Sequence, residues 1–487
     1  MNRSMIRYIL GCVLLVEGVL LLPVCLVGAI YRETVALWYL VTAFSALLAG
    51  FLLCRRKPED TTLYLKEGCV STALSWMLMS LVGCLPLWIS GEIPCFTDAL
   101  FEMVSGFTTT GASIVPAVEN LSRSANFWRC LAHWIGGMGV LVFLLAVVPL
   151  NGGSHMNLMR AESPGPSVGK LVPRIKETAR ILYLIYLGMT VLELILLLLG
   201  RMPLYDSVCT AIATAGTGGF GIKNDSIASY SAYIQWVVAI FMVLFGVNFN
   251  AYYFMLLRHF KDAFSMEEVR TYFCVIGGAV AVIFWQIVRS CAGVGEALRQ
   301  AFFQVASLIS STGYSTVDFD LWPNTARFVA VLLMFIGACA GSTGGGFKIS
   351  RLVILCKSIA KEFRSYIHPR SIKKVKMDGK PIEHEVVRST NVYFITFILL
   401  FTASVFLVTL EGLDLESAFT GVIACLNNIG PGLKAVGPMY GFGSLSLFSK
   451  WVLIFDMLAG RLELFPILIL FHPALWKDIF SRRTKKE

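Results

Sequence analysis

Long apolar runs alternate with polar loops from one end of the chain to the other. A helix that crosses a bilayer needs roughly 20 mainly apolar residues, and the pattern predicts ten such spans. Two lie near Tyr8–Ile30 and Val35–Cys54. The others form four similar blocks, each with a first helix, an apolar piece too short to span, and a second helix. First helices are expected near Cys69–Ser90, Ile181–Leu199, Tyr272–Ser290 and Val392–Leu410. Second helices are expected near Phe127–Pro149, Tyr233–Met255, Arg327–Leu355 and Lys450–His472. Between them, short helices are predicted over Ala99–Ser105, Ser207–Ala215, Ala297–Ile309 and Ser417–Leu426. Their start signals are Thr97 or Asp98, Asp206, Glu296, and Asp414 or Glu416.

Each short helix runs into a phrase of small residues: FTTTGAS at Phe107–Ser113, GTGGFG at Gly216–Gly221, SSTGYST at Ser310–Thr316 and NNIGPG at Asn427–Gly432. Their central glycines, Gly111, Gly219, Gly313 and Gly430, are 108, 94 and 117 residues apart. Similar spacing of similar phrases marks an internal repeat. The expected fold is an all-α polytopic membrane protein with four helix–pore-loop–helix repeats around one pseudo-fourfold ion pore. The expected units are 1–66, a two-helix extension, then repeats 67–160, 161–262, 263–376 and 377–487.

Composition agrees, with 56% hydrophobic and 15% charged residues against about 25% charged in soluble domains. The net charge of +10 is not a nucleic-acid signature, because the basic residues collect in alternate loops. These include Arg55–Lys66, Lys170–Arg180, Arg258–Arg270, Lys357–Lys380 and the tail from Lys477. By the positive-inside rule those loops and both termini are cytoplasmic, and membrane lipid is the surrounding partner. Arg3 and Arg7 before an apolar run resemble a signal peptide, but the run leads directly into another span and is read as a retained helix. The 13 cysteines show no metal-ligand spacing and read as small core residues.

Non-helical backbone at membrane depth is tolerated where it lines water or is buried in protein. Four such hairpins suggest a pore. A cation leaving water faces a desolvation cost of about 20 kcal/mol in the Born limit, which rings of backbone carbonyls can offset. Inward-aimed carbonyls need unusual backbone angles that glycine permits. Short helices ending at the centre add partial negative charge there, whereas an anion would want helix N-termini. The six histidines are scattered and join no carboxylate pair, which argues against the rival reading of a multi-pass membrane enzyme.

Four further features stand out. The run Gly341-Ser342-Thr343-Gly344-Gly345-Gly346 would break a second helix, with Lys348 near its end. It is either a close-packing stripe or an unwound intramembrane loop. Arg461 lies inside an apolar helix, where it is paired or functional; Asp456, Glu463 and Glu102 are candidate partners. Glu17 and Glu193 are either proton-coupling carboxylates or bonded to a neighbouring helix. His133 reads as a packing or interface residue.

The phrases SGFTTTGA (Ser105–Ala112), TGGFG (Thr217–Gly221), STGYST (Ser311–Thr316) and NNIGPG resemble those of the TrkH/KtrB superfamily of potassium transporters. HWIGGMG (His133–Gly139), AGSTGGGFK (Ala340–Lys348), MLAGRLELF (Met457–Phe465) and the two extra N-terminal helices are similar to the TrkH branch. The resemblance implies K⁺ as the transported ion and no organic cofactor on this chain. It implies filter carbonyls on Thr109, Thr110 and Gly111, on Thr217, Gly218 and Gly219, on Ser311, Thr312 and Gly313, and on Asn428, Ile429 and Gly430. It implies that Gly341–Gly346 with Lys348 forms a gating loop, and that Arg461 is a barrier in the permeation path. It also implies a homodimer in the bacterial inner membrane, regulated by a cytosolic TrkA-like ring that binds NAD or ATP. A H⁺- or Na⁺-coupled symporter of similar architecture is the alternative.

Overall fold

The computed structural model describes residues 1–60, 63–139, 175–369 and 374–475, and these are mostly helical. Among them, six helices are long and apolar enough to cross a membrane: Arg3–Tyr31, Ala36–Cys54, Leu65–Ile89, Arg180–Leu199, Glu267–Ile287 and His384–Thr409. The first helices start earlier than hydropathy predicts, at Leu65, Ile175, Glu267 and His384. Hydropathy marks the hydrocarbon slab, whereas the backbone hydrogen-bond ladder continues through polar residues beyond it. Large apolar side chains such as Phe44, Trp285, Leu399 and Phe406 stay exposed on the outside, as a lipid-facing belt requires.

The short helices are Phe96–Phe107, Leu204–Ala215, Val294–Ile309 and Leu415–Leu426. Asp414 caps the last, accepting the Ser417 N–H at 3.1 Å. Asp98, Asp206 and Glu296 are not caps but sit in the first turn, where the helix dipole favours a carboxylate.

The second helices differ most from expectation, because they are not continuous. Ala232–Phe245 and Phe249–Leu256 meet at a 91° bend. Asn324–Ile336 stops at Gly337, and helix resumes only at Ile349. Leu447–Arg461 gives way to Glu463 and Leu464, both at positive φ, before Phe465–Leu468. Arg123–Met138 ends at Gly139, φ 77°. The expected continuation to Pro149, the 160/161 boundary and the tail from Lys477 lie outside the described residues.

The start of each second helix is fastened to the short helix of the next quarter. Lys450 Nζ bonds Asp98 at 2.7 Å, and Arg327 pairs with Glu416. The Tyr205 hydroxyl donates to the Arg123 carbonyl at 2.7 Å, and the Trp236 and Phe302 rings lie 5.3 Å apart. Four seams at the same place in each quarter, closing quarter four back onto quarter one, make the repeats a ring.

Candidate functional site

All four short helices end in the same way. The N–H groups of Thr110, Gly218, Thr312 and Ile429 reach back five residues to Ser105, Ala213, Ser307 and Ala424, at 2.8–3.0 Å. The preceding N–H groups, of Thr109, Thr217, Ser311 and Asn428, reach back three. This pair of bonds is a Schellman end, whose turning residue is left-handed and usually glycine. Here it is Thr109, Thr217, Ser311 or Asn428, at φ 56°, 52°, 57° and 55°. A β-branched threonine at positive φ is an outlier, and such strain persists only where its surroundings enforce it.

The glycine two residues on is again left-handed in every loop: Gly111, Gly219, Gly313 and Gly430 have φ 77°, 78°, 85° and 100°. Each presses on the next loop. A Cβ added to Gly111 would collide with the carbonyl oxygen of Gly218, one on Gly219 with that of Thr312, and one on Gly313 with that of Ile429. A Cβ on Gly430 would come within 2.8 Å of the Thr110 oxygen, which returns the cycle to the first loop. Four carbonyl-bearing turns thus close on one axis at backbone contact distance, with no room for a side chain between them. Positive φ at every second position can aim successive carbonyls to the same side, which an ordinary strand cannot.

Side chains brace this ring from behind. Asn428 Nδ2 donates to Thr110 Oγ1 at 2.9 Å and to the Met457 carbonyl at 3.0 Å. His133 is buried between quarters, bonding the Gly106 carbonyl at 2.7 Å and accepting the Phe220 N–H at 3.2 Å. That pattern assigns the proton to Nδ1 and bears out its interface reading. Sequence reasoning missed Arg129, although a guanidinium inside an apolar run is itself a signal. It is 1% exposed, bonds Glu102 at 2.7 Å and stacks 4.1 Å over Phe220. Glu102 also accepts from Ser113 Oγ at 2.9 Å and Ile114 N–H at 2.9 Å, so the pair fixes the outgoing limb of the first loop. Removing one partner of a buried ion pair costs about 3–5 kcal/mol. Arg129→Met is therefore expected to lower the thermal midpoint on size-exclusion sharply, and adding Glu102→Gln to restore part of it.

The glycine-rich stretch of quarter three is an unwound loop, with positive φ at Gly337, Gly341, Gly346 and Lys348. It lies against the third and fourth glycine loops. The Gly345 N–H donates to Ser311 Oγ at 2.5 Å. Cβ atoms on Gly344 and Gly345 would come within 2.7 Å of the Ser310 oxygen and 2.6 Å of the Asn427 oxygen. Lys348 Nζ bonds the Gly344 carbonyl. Thr343 is tied to the Phe245 carbonyl at the bend of quarter two, and Ser342 Oγ to the Cys339 carbonyl at 2.6 Å.

Arg461 reaches this loop. Its guanidinium donates to Thr343 O at 3.0 Å, to Gly137 O at 2.9 Å and to Gly136 O. The three carboxylates named as candidate partners are engaged elsewhere: Asp456 with Ser404 at 2.7 Å, Glu463 with Arg351, and Glu102 with Arg129. Arg461 therefore joins three second-helix breaks, those of quarters one, three and four. Glu17 and Glu193 are buried, at 2% and 0% exposure.

A membrane ring of four re-entrant turns, closed by backbone carbonyls, defines a cation transport protein. The comparisons give the family: the TrkH model, described as a cation transport protein, matches residues 39–482. The chain is 35% identical to the Trk system potassium uptake protein TrkH of Salmonella typhimurium, over 98% of this chain and 99% of that one. It is 31% identical to TrkG of Escherichia coli K12, over 98% and 100%. Its fold superposes on the crystal structure of the potassium transporter TrkH from Vibrio parahaemolyticus with a TM-score of 0.87 at 30% identity, covering 98% of this chain and 100% of that one. The chain belongs to the TrkH family.

Proposed function

We propose that this chain carries K⁺ inward across a bacterial inner membrane, through one filter on the pseudo-fourfold axis, with both termini cytoplasmic. The observation that carries this is the closed cycle of glycines against carbonyls, and the relatives' names as potassium uptake proteins supply the ion. The filter carbonyls are those of Thr109 to Gly111, Thr217 to Gly219, Ser311 to Gly313 and Asn428 to Gly430. A hydrated cation would exchange its water shell for these oxygens. The working units are the two-helix extension 1–66 and the four repeats bounded at 160/161, 262/263 and 376/377. The role is transport rather than catalysis, and no organic cofactor is bound by this chain.

Gly341–Gly346 with Lys348 is read as the gate, held against the base of the filter, and Arg461 as a positive barrier in the same path. A fixed guanidinium in a low-dielectric passage repels a permeating cation. Arg461→Ala is expected to raise cation flux by about tenfold, a barrier change near 1.4 kcal/mol. A well-folded but inactive variant would assign the arginine to structure alone. Control by a cytosolic TrkA-like ring that binds NAD or ATP, and a homodimer, complete the reading. The docking surface is the basic segment Lys357–Lys380, although Lys357 itself is engaged by Glu267. Radioactive Rb⁺ uptake by the purified chain, blocked by K⁺ and not by Li⁺, tests the filter.

A further inference from the structure

Glu268 lies in the first turn of the helix Glu267–Ile287, apart from the filter and from every residue assigned to it. It is 4% exposed. Its Oε1 accepts the Ala340 N–H at 2.5 Å and the Ser350 N–H at 3.2 Å. Its Oε2 accepts from Asn248 Nδ2 at 3.1 Å. Ala340 directly precedes Gly341–Gly346 and Ser350 lies in the first turn of the helix that follows, so one oxygen grips the backbone on both sides of the glycine run. The other oxygen reaches the bend of quarter two, where Asn248 also caps the next helix by accepting the Asn250 N–H at 3.0 Å. Backbone bonds from Cys339 N–H to Gly246 O at 3.1 Å and from Phe249 N–H to Gly341 O at 3.0 Å run along the same seam. The start of its helix is itself held in place. Neighbouring Glu267 pairs with Lys357, and its N–H donates to Asp378 Oδ1 at 2.7 Å.

We infer that Glu268 is a positioning residue for transport: a clamp that holds the intramembrane loop closed by gripping both of its ends and pinning them to the bend of the neighbouring quarter. The inference rests on the loop being the gate. The physical case is that the N–H groups at a loop start and a helix N-terminus have no helical partners. A carboxylate serving both gives charge-assisted bonds, stronger than neutral ones. An open loop would have to leave these donors and the buried charge without one another, so the clamp weights the equilibrium toward the closed arrangement.

The test is Rb⁺ uptake by the full chain in proteoliposomes, with hydrogen exchange of the loop peptides read in parallel. Wild type is compared with E268A, with E268Q and with a chain shortened by one residue within Gly344–Gly346. E268A is expected to raise uptake by about tenfold and to speed exchange at Ala340–Ser350 while the filter peptides stay protected. E268Q keeps a carbonyl oxygen for the two N–H groups and is expected to rise by less than about threefold. Unchanged or lower uptake in E268A, with the shortened loop still raising it, overturns the clamp and leaves the gate standing. Unchanged uptake in both overturns the gate and the clamp with it. Should E268A fail to reconstitute, E268D, which keeps the charge and retracts it by one methylene, is read by the same two outcomes.

Discussion

Gly313→Ala is expected to abolish K⁺-selective uptake, lowering Rb⁺ flux by at least about a hundredfold. Two costs combine. Gly313 has φ 85°, a region that charges an L-residue roughly 1–2 kcal/mol. The larger cost is steric, because the new Cβ would overlap the carbonyl oxygen of Ile429. That oxygen cannot retreat freely, since the Ile429 N–H is bonded at 2.8 Å to Ala424 at the end of its own short helix. The strain must either widen the ring, so that its oxygens no longer match a dehydrated K⁺, or turn a carbonyl out of the path. Gly278→Ala is the internal control. Nothing lies within 4 Å of its added Cβ, and uptake should stay at the wild-type level. Equal uptake by both variants would mean that this ring is not the ion path.

Shortening Gly344–Gly346 by one residue is expected to act in the opposite direction, raising flux by about tenfold or more. Three of the bonds that hold the loop depend on its register. Gly345 N–H must meet Ser311 Oγ, Lys348 must reach Gly344 O, and Thr343 O must meet Arg461. Gly344 and Gly345 lie so near the Ser310 and Asn427 oxygens that neither position can carry a side chain without displacement. Removing a residue misaligns all three bonds while leaving the helices on either side intact. Lower flux from protein of normal stability would show that the loop supports the pore rather than blocks it.

Much of this architecture is legible in the sequence. The four glycines, the short helices before them and the third-quarter break follow from period, length and small-residue runs. Other parts leave no such trace. Left-handed Thr109, Thr217, Ser311 and Asn428 break the expectation of glycine at a helix end, and only the closed ring explains why they are held there. The break at Gly246–Asn248 does carry a glycine C-cap and an asparagine N-cap, a short signal that the long apolar run around it outweighs, whereas Glu463-Leu464 uses residues that read equally well as helix. Glu268 lies outside the span predicted from Tyr272, and only the fold brings Ala340, Ser350 and Asn248 to it. Arg461 is visible as an intramembrane charge, but three of its partners are the backbone carbonyls of Thr343, Gly136 and Gly137, to which side-chain pairing rules are blind.

Radioactive Rb⁺ uptake into proteoliposomes holding this chain alone, competed in turn with K⁺, Na⁺ and Li⁺, tests whether the ring of glycines is a K⁺ filter. One glycine per quarter makes a simpler filter than a continuous carbonyl ladder, so Na⁺ should compete weakly rather than not at all. Uptake that K⁺ blocks, that Li⁺ does not, and that Gly313→Ala abolishes is expected. No uptake by correctly folded protein, with and without a TrkA-like partner, or uptake that Li⁺ blocks as well as K⁺, would contradict a K⁺ filter at the ring of glycines.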